Sequence, residues 1–96
     1  PVGLGVDGSS SNDSSDMLAE VRQAMLLARA GHGPGALTAE QAFGLATRGG
    51  ARLLGRESEL GSIEVGKAAD LVLFDVSGLD RAGALSDPLA ALVFTG

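Results

Sequence analysis

The chain opens with PVGLGVDGSSSNDSSDMLAEVR, residues 1–22, in which an apolar run ends at one carboxylate, Asp7. Residues 2–6 predict a short buried strand of a parallel sheet. The glycines within it weaken this prediction unless another backbone or a ligand comes close. Catalytic groups of parallel α/β barrels lie at the carboxyl ends of strands, so Asp7 is a candidate active-site carboxylate. The competing interpretation is a turn aspartate that accepts from neighbouring amides, which is a common arrangement.

Two ligand-binding motifs partly match the same stretch. Residues 3–8 fit Gly-x-Gly-x-x-Gly, but the glycines fall inside the predicted strand and the helix begins too late to receive a pyrophosphate. Oxygen-bearing side chains alternate from Asp7 to Ser15 as in a calcium loop. However, Asn12 occupies the glycine position of that loop and Leu18 the position of its bidentate glutamate. Neither a dinucleotide site nor a calcium site is therefore favoured.

Helical patterns follow the serine-rich loop. Residues 16–30 place four apolar side chains on one face, at Leu18, Val21, Met25 and Ala28. Gly31 is expected to end this helix. Thr38 and Gln41 form the capping box of a second helix, and Thr47 offers a further cap before residues 51–54. Gly55 is expected to close that segment.

The helical patterns end near residue 60, and the short apolar runs that follow predict strands. We expect a strand and turn over residues 61–67, a buried strand over 71–75, an irregular stretch over 77–88 and a last short strand over 92–94. Asp87-Pro88 is interpreted as a turn. The element order is therefore one strand, then helices, then short strands, which is typical of an α/β protein.

Composition limits the classes of partner. The chain has 96 residues, a formal net charge of −5 and seven basic residues without a cluster, so nucleic acid and anionic membranes are not expected partners. No apolar run approaches the roughly 20 residues that a membrane span requires. The absence of cysteine favours a reducing compartment, and we expect the cytoplasm. Pro1 directly precedes the strand-like run, so we expect the chain to be the tail of a longer protein.

Four blocks of the sequence together resemble the amidohydrolase superfamily. GVDGSSSNDSSDMLAEVR (5–22) looks like the last barrel strand and following loop of the branch that contains cytosine, guanine and triazine deaminases and chlorohydrolases. ATRGGARLLG (46–55) is similar to a helix-joining segment, and GSIEVGKAADLV (61–72) to the return into a small β-sandwich. AGALSDPLAALVF (82–94) most resembles the 8-oxoguanine deaminase subgroup, in which a histidine often stands at the position of Ser86.

The resemblance implies an α/β fold. The chain would be the C-terminal fragment of a (β/α)₈ metal-dependent hydrolase barrel plus part of the appended β-sandwich. Residues 1–58 would form the last barrel strand and the following helices. Residues 59–96 would form part of the small β-sandwich domain and the C-terminal segment.

The same resemblance implies a metal site that includes Asp7. One divalent metal, zinc in the first place and iron in the second, would be bound by Asp7 and by histidines outside this chain. Asp7 would take a proton from the water that attacks an amino-bearing ring carbon and deliver it to the departing ammonia. Asn12 would either contact the substrate or organise the loop that carries Asp7. His32 matches no family motif and is expected in an exposed loop, and Glu20 and Arg22 on a solvated face or in a structural ion pair.

These expectations imply a deaminase in which this chain is inactive alone. The substrate would be an aminated heterocycle, such as 8-oxoguanine or a related purine, and the main partner would be the remainder of the same enzyme. Hydrolysis of a triazine, with loss of chloride or an amine, is the nearest alternative in the superfamily. A non-enzymatic domain whose helix 16–30 packs on a partner is the alternative of another class. The sequence leaves a homo-oligomer open.

Overall fold

A computed structural model of the chain describes residues 1–77 and 86–95. It contains four α-helices: α1 (Met17–His32), α2 (Ala39–Gly44), α3 (Gly50–Leu53) and α4 (Pro88–Thr95). A π-helical turn, Leu45–Gly49, joins α2 to α3 without a break. No strand is present among these described residues. Nor does any helix in this part of the chain have the length and apolar character to cross a bilayer.

Helix α1 confirms the helix predicted over residues 16–30. The Asp16 side chain caps it by accepting from the amide of Ala19 at 3.1 Å. The helix continues through Gly31 to His32 and ends at Gly33, whose φ of 98° is accessible mainly to glycine. Val21 and Met25, on the predicted apolar face, are fully buried. Because these two side chains anchor α1 in the core, the loop that precedes it is attached to a fixed element.

Helix α2 begins with the predicted capping box. The Thr38 hydroxyl accepts from the amide of Gln41 at 3.1 Å, and the Gln41 side chain accepts from the amide of Thr38 at 3.0 Å. Each of these amides would otherwise have no partner within the helix. The local pattern therefore specifies the start of α2 without help from tertiary contacts.

We expect Thr38→Ala to lower the free energy of unfolding of the full-length protein by about 0.5–2 kcal/mol, since it removes this cap. Thr38→Ser keeps the accepting hydroxyl and should retain most of the stability. Chemical denaturation of the three proteins measures the difference. Equal losses from the alanine and serine variants would contradict a capping role for the hydroxyl.

The predicted second cap at Thr47 is wrong. Thr47 lies inside the π-helical turn, and its hydroxyl donates to the carbonyl of Phe43 at 3.1 Å. This bond satisfies the hydroxyl within the preceding turn, so the side chain does not cap a new helix. The predicted stop at Gly55 is confirmed, with a φ of 71° and its amide donating to the carbonyl of Arg52 at 3.0 Å.

The core lies between α1, α2 and α4. It is formed by five small or medium apolar side chains: Val21, Met25, Ala39, Ala42 and Val93. The strand predicted over residues 92–94 is therefore wrong, since these residues belong to α4. The turn predicted at Asp87-Pro88 is instead the start of this helix. Asp87 accepts from the amide of Ala90 at 3.1 Å and Pro88 is the first helical residue, which together are a helix start rather than a simple turn.

No strand forms over residues 2–6, 61–67 or 71–75 in the part of the chain described, so these three predicted strands are not confirmed. A strand needs a partner for its backbone hydrogen bonds, and no such ladder forms here. Residues 71–74 are exposed rather than buried, with Leu73 97% accessible. The predicted irregular stretch over 77–88 lies mostly outside the described residues.

Residues 1–4 pack on the helices instead, backbone against backbone. A Cβ atom added to Gly3 would lie 2.8 Å from the Cα of Gly50, and one added to Gly49 would collide with the carbonyl oxygen of Val2. Glycine is needed on both sides of this contact because no side chain fits between the two backbones. Another backbone therefore does come close to the opening glycines at Gly3, although no strand forms there.

The turn predicted within residues 61–67 is present and is organised by Lys67. Its ammonium group donates to the carbonyl of Glu57 at 2.6 Å and to the hydroxyl of Ser62 at 2.8 Å, and lies 3.0 Å from the Glu64 carboxylate. A hydrogen bond from Ser62 and then the contact with Lys67 hold the pKa of Glu64 below its ordinary value. This segment is thus held by polar contacts rather than by a sheet.

Candidate functional site

Asp7 lies three residues after the segment, residues 1–4, that packs on the helices, and its side chain is exposed. The Oδ1 atom accepts from the amide of Gly8 at 2.7 Å. The Oδ2 atom makes no hydrogen bond with the described residues. The predicted turn contact is therefore present, and it occupies only one of the two carboxylate oxygens. The other oxygen remains available to a ligand, so the turn contact and a metal-binding role are compatible.

The backbone of Asp7 is in the left-handed region. Its φ is 63°, and Ser15 at 46° is the other residue besides glycine with a positive φ in the described ranges. Such a conformation is uncommon for residues other than glycine, although aspartate tolerates it better than most. Residues held in this way cluster at active sites. The loop from Asp7 to Ser15 therefore begins and ends at residues whose backbone conformation is uncommon for their residue types.

Asn12 links this loop to the residue before Asp7. Its Nδ2 atom donates to the carbonyl of Val6 at 3.0 Å and to Oε1 of Glu20 at 2.8 Å. Its Oδ1 atom accepts from the amide and the hydroxyl of Ser14, at 3.1 and 3.0 Å. These contacts favour the interpretation that Asn12 organises the loop. A direct contact between Asn12 and the substrate stays a prediction.

Glu20 and Arg22 both make structural contacts that the helical pattern did not specify. Glu20 accepts from Asn12, and Arg22 Nη1 donates to the carbonyl of Phe94 at 3.2 Å, near the end of α4. The helical pattern predicts a solvated face or an ion pair for these residues and does not indicate the role of Glu20. No local signal could have identified that role, since the contact joins a loop to a helix eight residues further on.

His32 is exposed, as predicted, but it is the last residue of α1 rather than part of a loop. Residues 1–77 and 86–95 contain no group of three or more His, Cys, Asp or Glu side chains able to hold a metal ion. Zinc is normally bound by at least three protein ligands. Asp7 fits such a site as one oxygen ligand, and further ligands would have to come from outside the described residues.

A cavity of about 700 Å³ lies between the opening segment, the helices and residues 60–74. Its walls come from the opening segment, the α2–α3 region and residues 60–74, and include Leu4, Phe43, Leu54, Leu60 and Phe74. Asp7 is not part of its lining. This apolar cavity is therefore separate from the candidate site.

Comparisons with known proteins give consistent results. The Amidohydrolase family model matches residues 1–96. The 8-oxoguanine deaminase of Pseudomonas aeruginosa is 54% identical over 93 residues, which are 97% of this chain and 20% of that protein. The crystal structure of an adenosine deaminase from Xanthomonas campestris with bound zinc has a TM-score of 0.91 and 43% identity, covering 98% of this chain and 21% of the other.

A second solved structure broadens the range of chemistry. An atrazine chlorohydrolase from Arthrobacter aurescens complexed with zinc has a TM-score of 0.86 and 40% identity, covering 99% of this chain and 21% of that chain. The chain thus spans about a fifth of the length of the proteins it matches. The likeness includes the stretch that carries Asp7, Asn12 and Glu20, because it extends over nearly the whole chain.

Proposed function

Because the chain belongs to the amidohydrolase family, we propose that the full-length protein is a metal-dependent deaminase of an aminated heterocycle. The observation that carries the proposal is the 54% identity to 8-oxoguanine deaminase over 97% of this chain. 8-Oxoguanine or a related purine is therefore the first substrate to test.

Family membership implies a TIM-barrel-like hydrolase fold for the whole protein. In this proposal residues 1–58 supply the last barrel strand and its helices, and residues 59–96 supply part of the β-sandwich. Several large apolar side chains favour a larger assembly because they are exposed between residues 63 and 74, namely Ile63, Val65, Leu71, Val72 and Leu73. The remainder of the same enzyme would cover them and would provide the pairing partners for the predicted strands.

Asp7 would serve both as a metal ligand and as the proton carrier. The metal, zinc in related structures, would supply Lewis-acid activation of water. Water adds to the ring carbon that bears the amino group, and the carbon–nitrogen bond then breaks to give a carbonyl product and ammonia. The carboxylate of Asp7 accepts a proton from the attacking water and returns it to the departing nitrogen. The amide of Gly8 donates to one of its two oxygens, Oδ1.

Hydrolysis of a triazine is the second candidate, favoured by the likeness to atrazine chlorohydrolase. The same attack by water would then expel chloride instead of ammonia. The groups described in this chain do not discriminate between these leaving groups, because Asp7 faces the water in both reactions. Residues outside the chain would select the substrate.

The non-enzymatic alternative has less support. It required the apolar face of helix 16–30 to pack on a partner, yet Val21 and Met25 on that face are already buried in the core of this chain. Leu26 and Leu27 remain exposed, but they lie elsewhere on α1. The family likeness over all 96 residues also favours an enzyme.

The proposal is tested by incubating the zinc-loaded full-length protein separately with 8-oxoguanine, adenosine and atrazine. Ammonia released from a purine supports the deaminase, and chloride released from atrazine supports the second candidate. Protein stripped of metal by a chelator should lose the activity and regain it with zinc. Absence of both ammonia and chloride from all three compounds would contradict the proposed function.

A further inference from the structure

We infer that Asn12 is a positioning residue for Asp7, acting through its hydrogen bonds to Val6 and to Glu20 of α1. This inference rests on the proposed function, because it assigns Asn12 a task in the reaction of Asp7. Asn12 and Glu20 would not touch the substrate in this role. They would hold the carboxylate of Asp7 at the place where it meets water and metal.

The contacts form one continuous connection from the core to the candidate site. The peptide that joins Val6 to Asp7 contributes the carbonyl that accepts from Asn12 at 3.0 Å. The same Asn12 amide nitrogen donates to Glu20 at 2.8 Å. Glu20 directly precedes Val21, which is fully buried. The orientation of the peptide before Asp7 is therefore fixed by a side chain that is itself fixed to the core.

Asp7 needs such support because few contacts of its own hold its backbone and side chain in place. Its side chain is exposed, its φ is 63°, and the loop after it is rich in serine and has no regular structure before α1. A left-handed residue persists where its surroundings over-determine the backbone. The hydrogen bond to the Val6 carbonyl acts directly on the peptide whose rotation would change φ of Asp7.

The chemistry of the site selects asparagine over aspartate at position 12. Two acceptors, the Val6 carbonyl and Glu20, lie on one side of the amide, and the amide of Ser14 is a donor on the other. Rotating the amide by half a turn would place oxygen against two oxygens and nitrogen against a donor. Aspartate at position 12 would present an oxygen to the Val6 carbonyl and to the Glu20 carboxylate. Asn12→Asp should therefore replace these two hydrogen bonds with repulsive oxygen–oxygen contacts, while the side chain keeps nearly the same size.

Loss of the connection should lower catalysis and metal retention more than stability. Removing groups that orient a metal ligand typically costs about 10- to 100-fold in metal affinity or activity. We expect Asn12→Asp and Glu20→Ala each to lower kcat by that factor with little change in KM. We expect both variants to lose zinc to a chelator faster than the wild type. Because the two residues act in one connection, the kcat and the zinc retention of the double variant should be close to those of the more impaired single variant.

The matched control is Glu20→Gln, which keeps an accepting oxygen at the same position and should retain most of the wild-type kcat and zinc. Gln23→Ala truncates an exposed side chain on the same helix and should change neither quantity. All variants are made in the full-length protein, and their melting temperatures are compared first. If Asn12→Asp does not fold, the Glu20→Ala and Glu20→Gln pair decides the question.

The inference is overturned if Glu20→Ala and Glu20→Gln behave alike, or if Asn12→Asp keeps both its kcat and its zinc. Failure of the proposed function looks different, because a wild type that releases no ammonia can still retain zinc. In that case faster zinc loss from Asn12→Asp and Glu20→Ala, but not from Glu20→Gln, would support the positioning of Asp7 alone. A wild type that neither holds zinc nor deaminates a purine would contradict both.

Discussion

Replacing Asp7 with Asn should lower kcat/KM of the full-length protein by about 10²- to 10⁴-fold, the range expected when a group that transfers a proton is removed. Asparagine cannot accept the proton and is a weaker ligand for a hard or borderline cation. It is nevertheless the cleanest substitution here. It keeps an oxygen for the amide of Gly8, and it tolerates a φ of 63°.

The measurement is a comparison of steady-state kinetics and zinc content with the wild type. Asp13→Asn is the control, because Asp13 is an exposed carboxylate of the same loop and should be replaceable without effect. Equal activity of the Asp7→Asn and wild-type proteins would remove Asp7 from the reaction. A low activity of Asp13→Asn would indicate that loop charge, rather than Asp7 itself, controls the rate.

Replacing Gly49 with Ala should destabilise the protein by about 1–3 kcal/mol, the usual cost of forcing an extra methyl group into a packed site. The new methyl would collide with the carbonyl oxygen of Val2 and lie 3.3 Å from that of Gly44. These neighbours are backbone atoms, so no side-chain rotation can relieve the contact. The opening segment would have to move away from the helices, and Asp7 would move with it.

Gly44→Ala provides the matched control. Gly44 is also helical, and a Cβ atom added to it meets nothing within 4 Å. This variant should gain about 0.5–1 kcal/mol from the better helix propensity of alanine. Denaturant unfolding of both variants in the full-length protein measures the difference, whose sign should be opposite at the two positions. A neutral Gly49→Ala would mean that the opening segment does not rest on the π-helical turn.

Local signals were predicted well from the sequence. The capping box at Thr38 and the stop at Gly55 use atoms within a few residues of each other, so the chain itself encodes them. The start of α1 follows the same rule, because Asp16 caps it through the amide of Ala19. The buried face of this helix was also found, since periodicity at Val21 and Met25 reflects burial directly.

The predicted strands depended on partners that the described residues do not supply. The runs at residues 2–6 and 71–75 have strand-like composition, but a strand is stabilised by its neighbours in the sheet. The run Leu92-Val93-Phe94 failed for another reason. Three apolar residues fit a buried strand and a buried helix equally, and the Asp87-Pro88 signal that distinguishes them was interpreted as a turn.

For the candidate site, sequence analysis identified Asp7 and Asn12 but not what joins them. The hydrogen bond between Asn12 and Glu20 spans eight residues from loop to helix and has no periodic signature. The metal and catalytic roles of Asp7, the boundary near residue 58 and a cytoplasmic location stay predictions.

Helix α4 contacts α1 through two arginine side chains as well as through the core. Arg22 binds the carbonyl of Phe94, and the guanidinium of Arg29 lies 5.5 Å from the centre of the Phe94 ring. Ending the polypeptide before residue 86 would remove Val93 from the core that it forms with Val21 and Met25. Val21 and Met25 would lose this packing partner, and Val21 directly follows Glu20 in α1. Helix α4, late in the chain, thus stabilises residues near the beginning of the chain.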